Sequence, residues 1–164
     1  VHIVCVFPDL ERAGAFQEEV YRSLGEARND PAIFGRQLYL DADDRVLGEE
    51  PRLLAGATAI GVYEVPALVE RYGGAAWPAH IDRSSFSLLS NLGLWDPGLG
   101  FSLAEVSRNC PPDFVSGRRD LRGVPTITGC DAHYLGQISD AGQVMEVPAR
   151  SREAVLAWLR RGGA

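Results

Sequence analysis

Lysine is absent from this chain of 164 residues, whose 16 basic residues are all arginine. A Walker-type phosphate loop needs a lysine after its glycines, and Schiff-base or pyridoxal chemistry needs a lysine amine, so both are excluded. Cysteine is scarce. Cys5, Cys110 and Cys130 form an odd, widely spaced set with no C-x-x-C pair and no leader-like run before them, which reads as a reducing, cytoplasmic setting. No apolar run reaches the ~18–20 residues that span a bilayer, because Gly, Pro or a charge interrupts each candidate. A soluble chain with no membrane partner is expected. Broad basic character is missing as well: 22 acidic residues against 16 basic leave a net charge of -6. Strong nucleic-acid binding is therefore not expected, although a local arginine cluster could hold the phosphate of a small anionic substrate. The first residue, Val1, opens directly into a strand pattern without an initiating methionine, and an upstream segment is expected to be missing.

With 46% hydrophobic residues the chain can close one sizeable core, so residues 1–164 are expected to form a single domain. Residues 1–7 are a nearly continuous β-rich run, with Val1, Ile3, Cys5 and Phe7 on one face and His2, Val4 and Val6 on the other. Beyond Pro8 and Asp9, Leu10, Ala13, Phe16, Val20 and Leu24 recur at helical spacing, which predicts an amphipathic helix ending near Gly25. Residues 27–48 read as a polar, solvated loop. Its Asp41, Asp43 and Asp44 do not make a calcium site, since Arg45 and Val46 stand where an EF-hand needs an oxygen ligand and a glycine. A helix is expected over 62–72 and a short buried strand at 75–77. A helix at 84–92 and strands at 103–107, 124–128 and 144–147 follow. Ser151 can N-cap a last helix that ends near Gly162. Strands alternating with helices or long connections argue for parallel βα units, open or closed into a barrel.

There are three histidines, and their placement carries the chemistry. His2 lies within the first strand, while His80 and His133 follow two others; the C-terminal rim of βα units is where functional side chains gather. Asp131 precedes His133 by two residues, so in extended chain a carboxylate and an imidazole share one side and can reach a common ion. A mixed His and carboxylate set suits zinc, manganese or iron. Arg83, three residues after His80, either clamps a phosphate with its planar fork or forms an ordinary salt bridge with Asp82 or a helix carboxylate. Cys130 reads as core packing, pointing away from Asp131. Ser84 and Ser85 lack both the G-x-S-x-G context and an acid partner of a serine hydrolase.

Pro78-Ala79-His80-Ile81-Asp82-Arg83-Ser84-Ser85-Phe86-Ser87, then Asn91-Leu92-Gly93, then Asp131-Ala132-His133-Tyr134-Leu135-Gly136, together resemble the PHP family (polymerase and histidinol phosphatase) of metal-dependent phosphoesterases. Val1-His2-Ile3-Val4 and Phe7-Pro8-Asp9-Leu10 extend the likeness over essentially the whole chain, in the manner of the small stand-alone members. The resemblance implies an α/β fold, a distorted seven-stranded βα barrel that here lacks its N-terminal strands, with a multinuclear metal centre. It places His2, His80, Asp131 and His133 on metal-ligand positions, and Arg83, three residues after His80, is expected to point toward that cluster and hold the phosphate of the substrate. The family's N-terminal H-x-H, D-H pair and further acidic ligands have no counterpart here, so the chain corresponds to an N-terminally truncated PHP domain. The activity implied is hydrolysis of a small phosphate monoester or nucleotide with divalent zinc, manganese or iron, from a centre that is incomplete in this chain. A non-catalytic binding or scaffold module with the same fold is the alternative.

Overall fold

The computed structural model describes residues 1–138 and 144–163, in the order β1 (Ile3–Val6), α1 (Leu10–Ser23), α2 (Pro31–Phe34), β2 (Leu38–Leu40), β3 (Val46–Glu49), α3 (Val65–Arg71), β4 (Ala75–Pro78), α4 (Leu88–Leu92), β5 (Ala104–Ser107), β6 (Thr126–Gly129) and α5 (Arg152–Arg160). Two compact units result: Val1–Gly14 with Val62–Ala164, and Ala15–Gly61.

In the first unit β1 pairs antiparallel with β4, Ile3 opposite Pro78 and Val6 opposite Ala75. Pro78 has no N–H, so Ile3–Pro78 is a non-bonded pair of the ladder, while the His2 carbonyl accepts from the Ala79 N–H at 3.1 Å. β5 and β6 run parallel, from Ala104 opposite Thr126 to Ser107 opposite Gly129. Alternation along these strands sends side chains to two cores. Ala75, Trp77 and Leu103 pack against Leu156, Trp158 and Leu159 of α5, whose first turn is capped by the Ser151 hydroxyl accepting from the Ala154 N–H. Ala104 and Val106 pack on the opposite side against Ile81, Leu88, Leu89, Trp95, Leu99, Phe101 and Leu121. Burying a side chain such as Leu88 or Leu99 fully contributes about 1.5–3 kcal/mol. After α3 the chain turns at Gly73 and Gly74. A Cβ on Gly74 would stand 2.6 Å from the Val6 carbonyl oxygen, so the close approach of this turn to β1 requires glycine.

The second unit is built on turn chemistry. Asp30 caps α2 through the Ala32 N–H, with Pro31 at the first helical position. β2 and β3 form an antiparallel hairpin. Asp41 closes it by accepting from the Asp43 and Arg45 N–H groups at 2.8 and 2.9 Å, and Asp44 takes the left-handed conformation. Behind the hairpin, Glu50 is buried and accepts hydrogen bonds from the Tyr21 and Tyr39 hydroxyls and from the Arg52 N–H.

Three expectations are corrected. No seven-stranded barrel forms: among the described residues the strands pair only two at a time, and β1 with β4 is antiparallel. A barrel needs every strand hydrogen-bonded on both edges with a consistent stagger, and strands of three or four residues joined by long connections do not supply it. The described residues are mixed α/β with three two-stranded sheets. Residues 27–48, read as a loop, hold α2, β2 and part of β3, because the acidic stretch is a hairpin turn. Residues 144–147 form no strand; Val144 is exposed and Val147 packs on the α5 core without a ladder partner. No described helix is long and apolar enough to cross a membrane.

Candidate functional site

Antiparallel pairing carries the start of β1 to the end of β4, so His2 and His80 meet. The Nδ1 of His2 lies 3.3 Å from the Nε2 of His80, with the rings at 70°. His80 is 3% exposed, and its Nδ1 is buried without a hydrogen-bond partner. Phe86 stacks on His2, whose N–H donates to the Phe86 carbonyl at 2.8 Å. Burial lowers the His2 pKa below the usual imidazole value, and His80 pushes it the same way. A neutral imidazole is the form that binds a metal.

A hydrogen bond from the Ile81 N–H to the Glu105 carbonyl ties the end of β4 to β5. Asp82 reinforces the link by accepting from the Ser107 N–H at 2.6 Å and the Ser107 hydroxyl at 2.5 Å. Asp82 is thereby occupied, and Arg83 turns instead to Asp131 at 2.7 Å. Asp131 follows β6, and the Nδ1–H of His133 donates to its carbonyl at 2.9 Å, which leaves the Nε2 of His133 as the acceptor. His80 and Asp131 both have positive φ, +35° and +45°. Non-glycine residues adopt this conformation rarely, and it concentrates at functional sites.

Where β5 and β6 end, Arg83, Ser107, Arg108, Asn109, Cys130, Asp131, His133 and Gln137 line a polar cavity of about 280 Å³. Ligands gather at this end of parallel strands. Cys130, read as core packing, stands in the cavity wall beside Asp131, because the left-handed turn at Asp131 breaks the alternation of extended chain. Arg108 and Asn109 are cavity residues that no motif in the sequence marks. The available signal was their position directly after the strand at 103–107, the same position that singled out His80.

The sequence-derived ligands thus assemble as two pairs, His2 with His80 and Asp131 with His133, with Arg83 bound to Asp131. Two imidazole nitrogens on one tetrahedral zinc at about 2.0–2.1 Å stand about 3.3 Å apart. The spacing of His2 and His80 matches two vertices of such a site, and the Nδ1 of His80 has no hydrogen-bond partner. The fit stops there: among the described residues no group of three or more His, Cys, Asp or Glu side chains is placed to hold one metal ion.

No protein-family model and no curated protein matches this sequence. In fold the chain is similar to Endonuclease Q, in the crystal structure of its complex with a 27-mer duplex substrate with an abasic lesion at the active site. The likeness has a TM-score of 0.55 and 16% sequence identity, and covers 81% of this chain. This chain spans 29% of the length of that one. At this identity the likeness establishes shared fold.

Proposed function

We propose that this chain carries part of the active site of a metal-dependent phosphoesterase of the kind its resemblance to the PHP family implies, acting on a phosphate monoester or nucleotide. The observation that supports this most is the polar cavity, where Arg83 and Arg108 stand beside Asp131 and His133 at the ends of two parallel strands. Guanidinium forks match the oxygens of a phosphoryl group, and a cavity of this size takes the phosphate with its first substituent. His2 and His80 would hold a divalent ion such as zinc, manganese or iron, as two of its donors. A bound ion supplies Lewis acidity and a nucleophile at neutral pH. The chain's own residues bind and orient: Arg83 and Arg108 neutralise phosphate oxygens, and Asp131 aims Arg83. The fold shared with Endonuclease Q, whose complex holds a duplex DNA substrate, is consistent with phosphoester chemistry. Three free thiols accord with a reducing, cytoplasmic setting.

A second reading, a module that binds phosphate without turning it over, is favoured by the closure of Arg83 on Asp131 and by a donor set that stops at two. Turnover of p-nitrophenyl phosphate with manganese or zinc separates them. The first reading expects metal-dependent hydrolysis, abolished by His80→Ala. Phosphate binding with no turnover under any of these conditions establishes the second.

A further inference from the structure

Phe86 is a large apolar side chain with no evident place in the core. It follows Arg83 by three residues on the turn that leads into α4, and it is 63% exposed. Its ring lies flat on His2, 5.0 Å between centroids and 8° from parallel. Its backbone has φ +55°, a conformation that bulky residues rarely adopt and that has an energetic cost. Burial does not repay that cost. What the conformation achieves is placement: the His2 N–H grips the Phe86 carbonyl, the His2 ring supports one face, and the rest of the ring is presented to solvent beside the Arg83 turn.

We infer that Phe86 is a stacking platform for a nucleobase, so that the site takes nucleoside phosphates in preference to phosphate esters that lack a base. The inference rests on the phosphoester reading above and narrows its substrate. Arg83 holds the phosphate from the same turn that carries Phe86, so one segment engages both ends of a nucleotide. Tyr134, 75% exposed, directly follows the cavity residue His133, and its N–H is held by the Gln137 side chain. It offers a second aromatic surface next to the cavity. A ring already fixed against His2 loses little freedom on binding, and stacking on it tolerates any base.

Calorimetric titration with adenosine 5′-monophosphate and with ribose 5-phosphate, in the presence of manganese, tests this. The nucleotide is expected to bind roughly tenfold tighter or more, the range of a single base stack. Phe86→Leu, which keeps bulk and loses the aromatic face, is expected to bring the two ligands to equal affinity. Phe86→Trp is expected to keep the preference, and its exposed indole to be quenched by the nucleotide and not by the sugar phosphate. Should Phe86→Leu fail to fold, the Phe86→Trp quench decides. Equal affinity of both ligands for the unaltered chain, a preference that survives Phe86→Leu, or an unquenched indole overturns the platform and leaves the phosphoester reading standing. Failure of both ligands to bind overturns the phosphoester reading and the platform with it.

Discussion

His2 and His80 are 78 positions apart in sequence and face each other across 3.3 Å, Nδ1 to Nε2. They meet because β1 and β4 are antiparallel, which places His2, just before one strand, opposite Ala79 and next to His80, just after the other. A hydrogen bond between two imidazoles satisfies one nitrogen of each ring, and the other nitrogen of His80 has no partner.

Zinc or manganese is therefore expected to bind at a ratio of about one ion per chain, and weakly, since structural sites use four ligands. His80→Ala should abolish this binding. Equilibrium dialysis with metal analysis checks it, and an unchanged metal content in His80→Ala would place the ion elsewhere.

Arg83→Ala is expected to weaken the binding of inorganic phosphate by roughly tenfold to a hundredfold, the range of one charge-assisted hydrogen bond, with metal content unchanged. Arg83→Lys should recover little of it, because an ammonium lacks the planar fork. Equal loss of metal and phosphate on Arg83→Ala would show that Arg83 acts by positioning Asp131.

Gly129 ends β6 directly against Glu105. A Cβ there would stand 2.2 Å from a Glu105 carboxylate oxygen, and that carboxylate accepts from the Trp77 indole N–H at 3.2 Å. Gly129→Ala is expected to destabilise the fold by about 1–3 kcal/mol, as for other overpacked sites. Because the conflict is with one side chain, Gly129→Ala combined with Glu105→Ala should be more stable than the sum of the two single losses. Urea unfolding of the four chains measures the coupling, and strict additivity would mean the glycine serves the backbone instead.

Hydrogen bonds from Tyr39 first, then from the Arg52 N–H and Tyr21, hold the Glu50 carboxyl below its ordinary value of 4.5. A group with a depressed folded pKa adds stability that is present above the unfolded value and is lost as pH falls through the folded one. Stability should decline below pH 4.5, and Tyr39→Phe should make that decline shallower. Unfolding midpoints at pH 3, 4, 5 and 6 give the comparison; parallel profiles for the two proteins would assign the decline to other carboxylates such as Asp120 or Asp41.

Local patterns were legible from the chain alone. The strand at 3–6, the helices at 10–23 and 152–160, and the Ser151 cap follow from periodicity and capping chemistry, whose physics acts within a few residues. The same logic put His80 and Asp131 at strand ends, where the structure has them. Strand partnership depends on residues far apart, so tertiary structure alone decided that β1 runs antiparallel to β4 and that, among the described residues, the sheets stop at two strands and no barrel closes. It also decided the electrostatics of the site. Asp82 is taken by Ser107, which turns Arg83 onto Asp131, and a left-handed backbone at Asp131 brings Cys130 into the cavity wall. The sequence by itself determined which side chains are available for chemistry. Which of them face one another was set by long-range backbone pairing and by a few residues held in rare conformations, neither of which leaves a periodic trace in the chain.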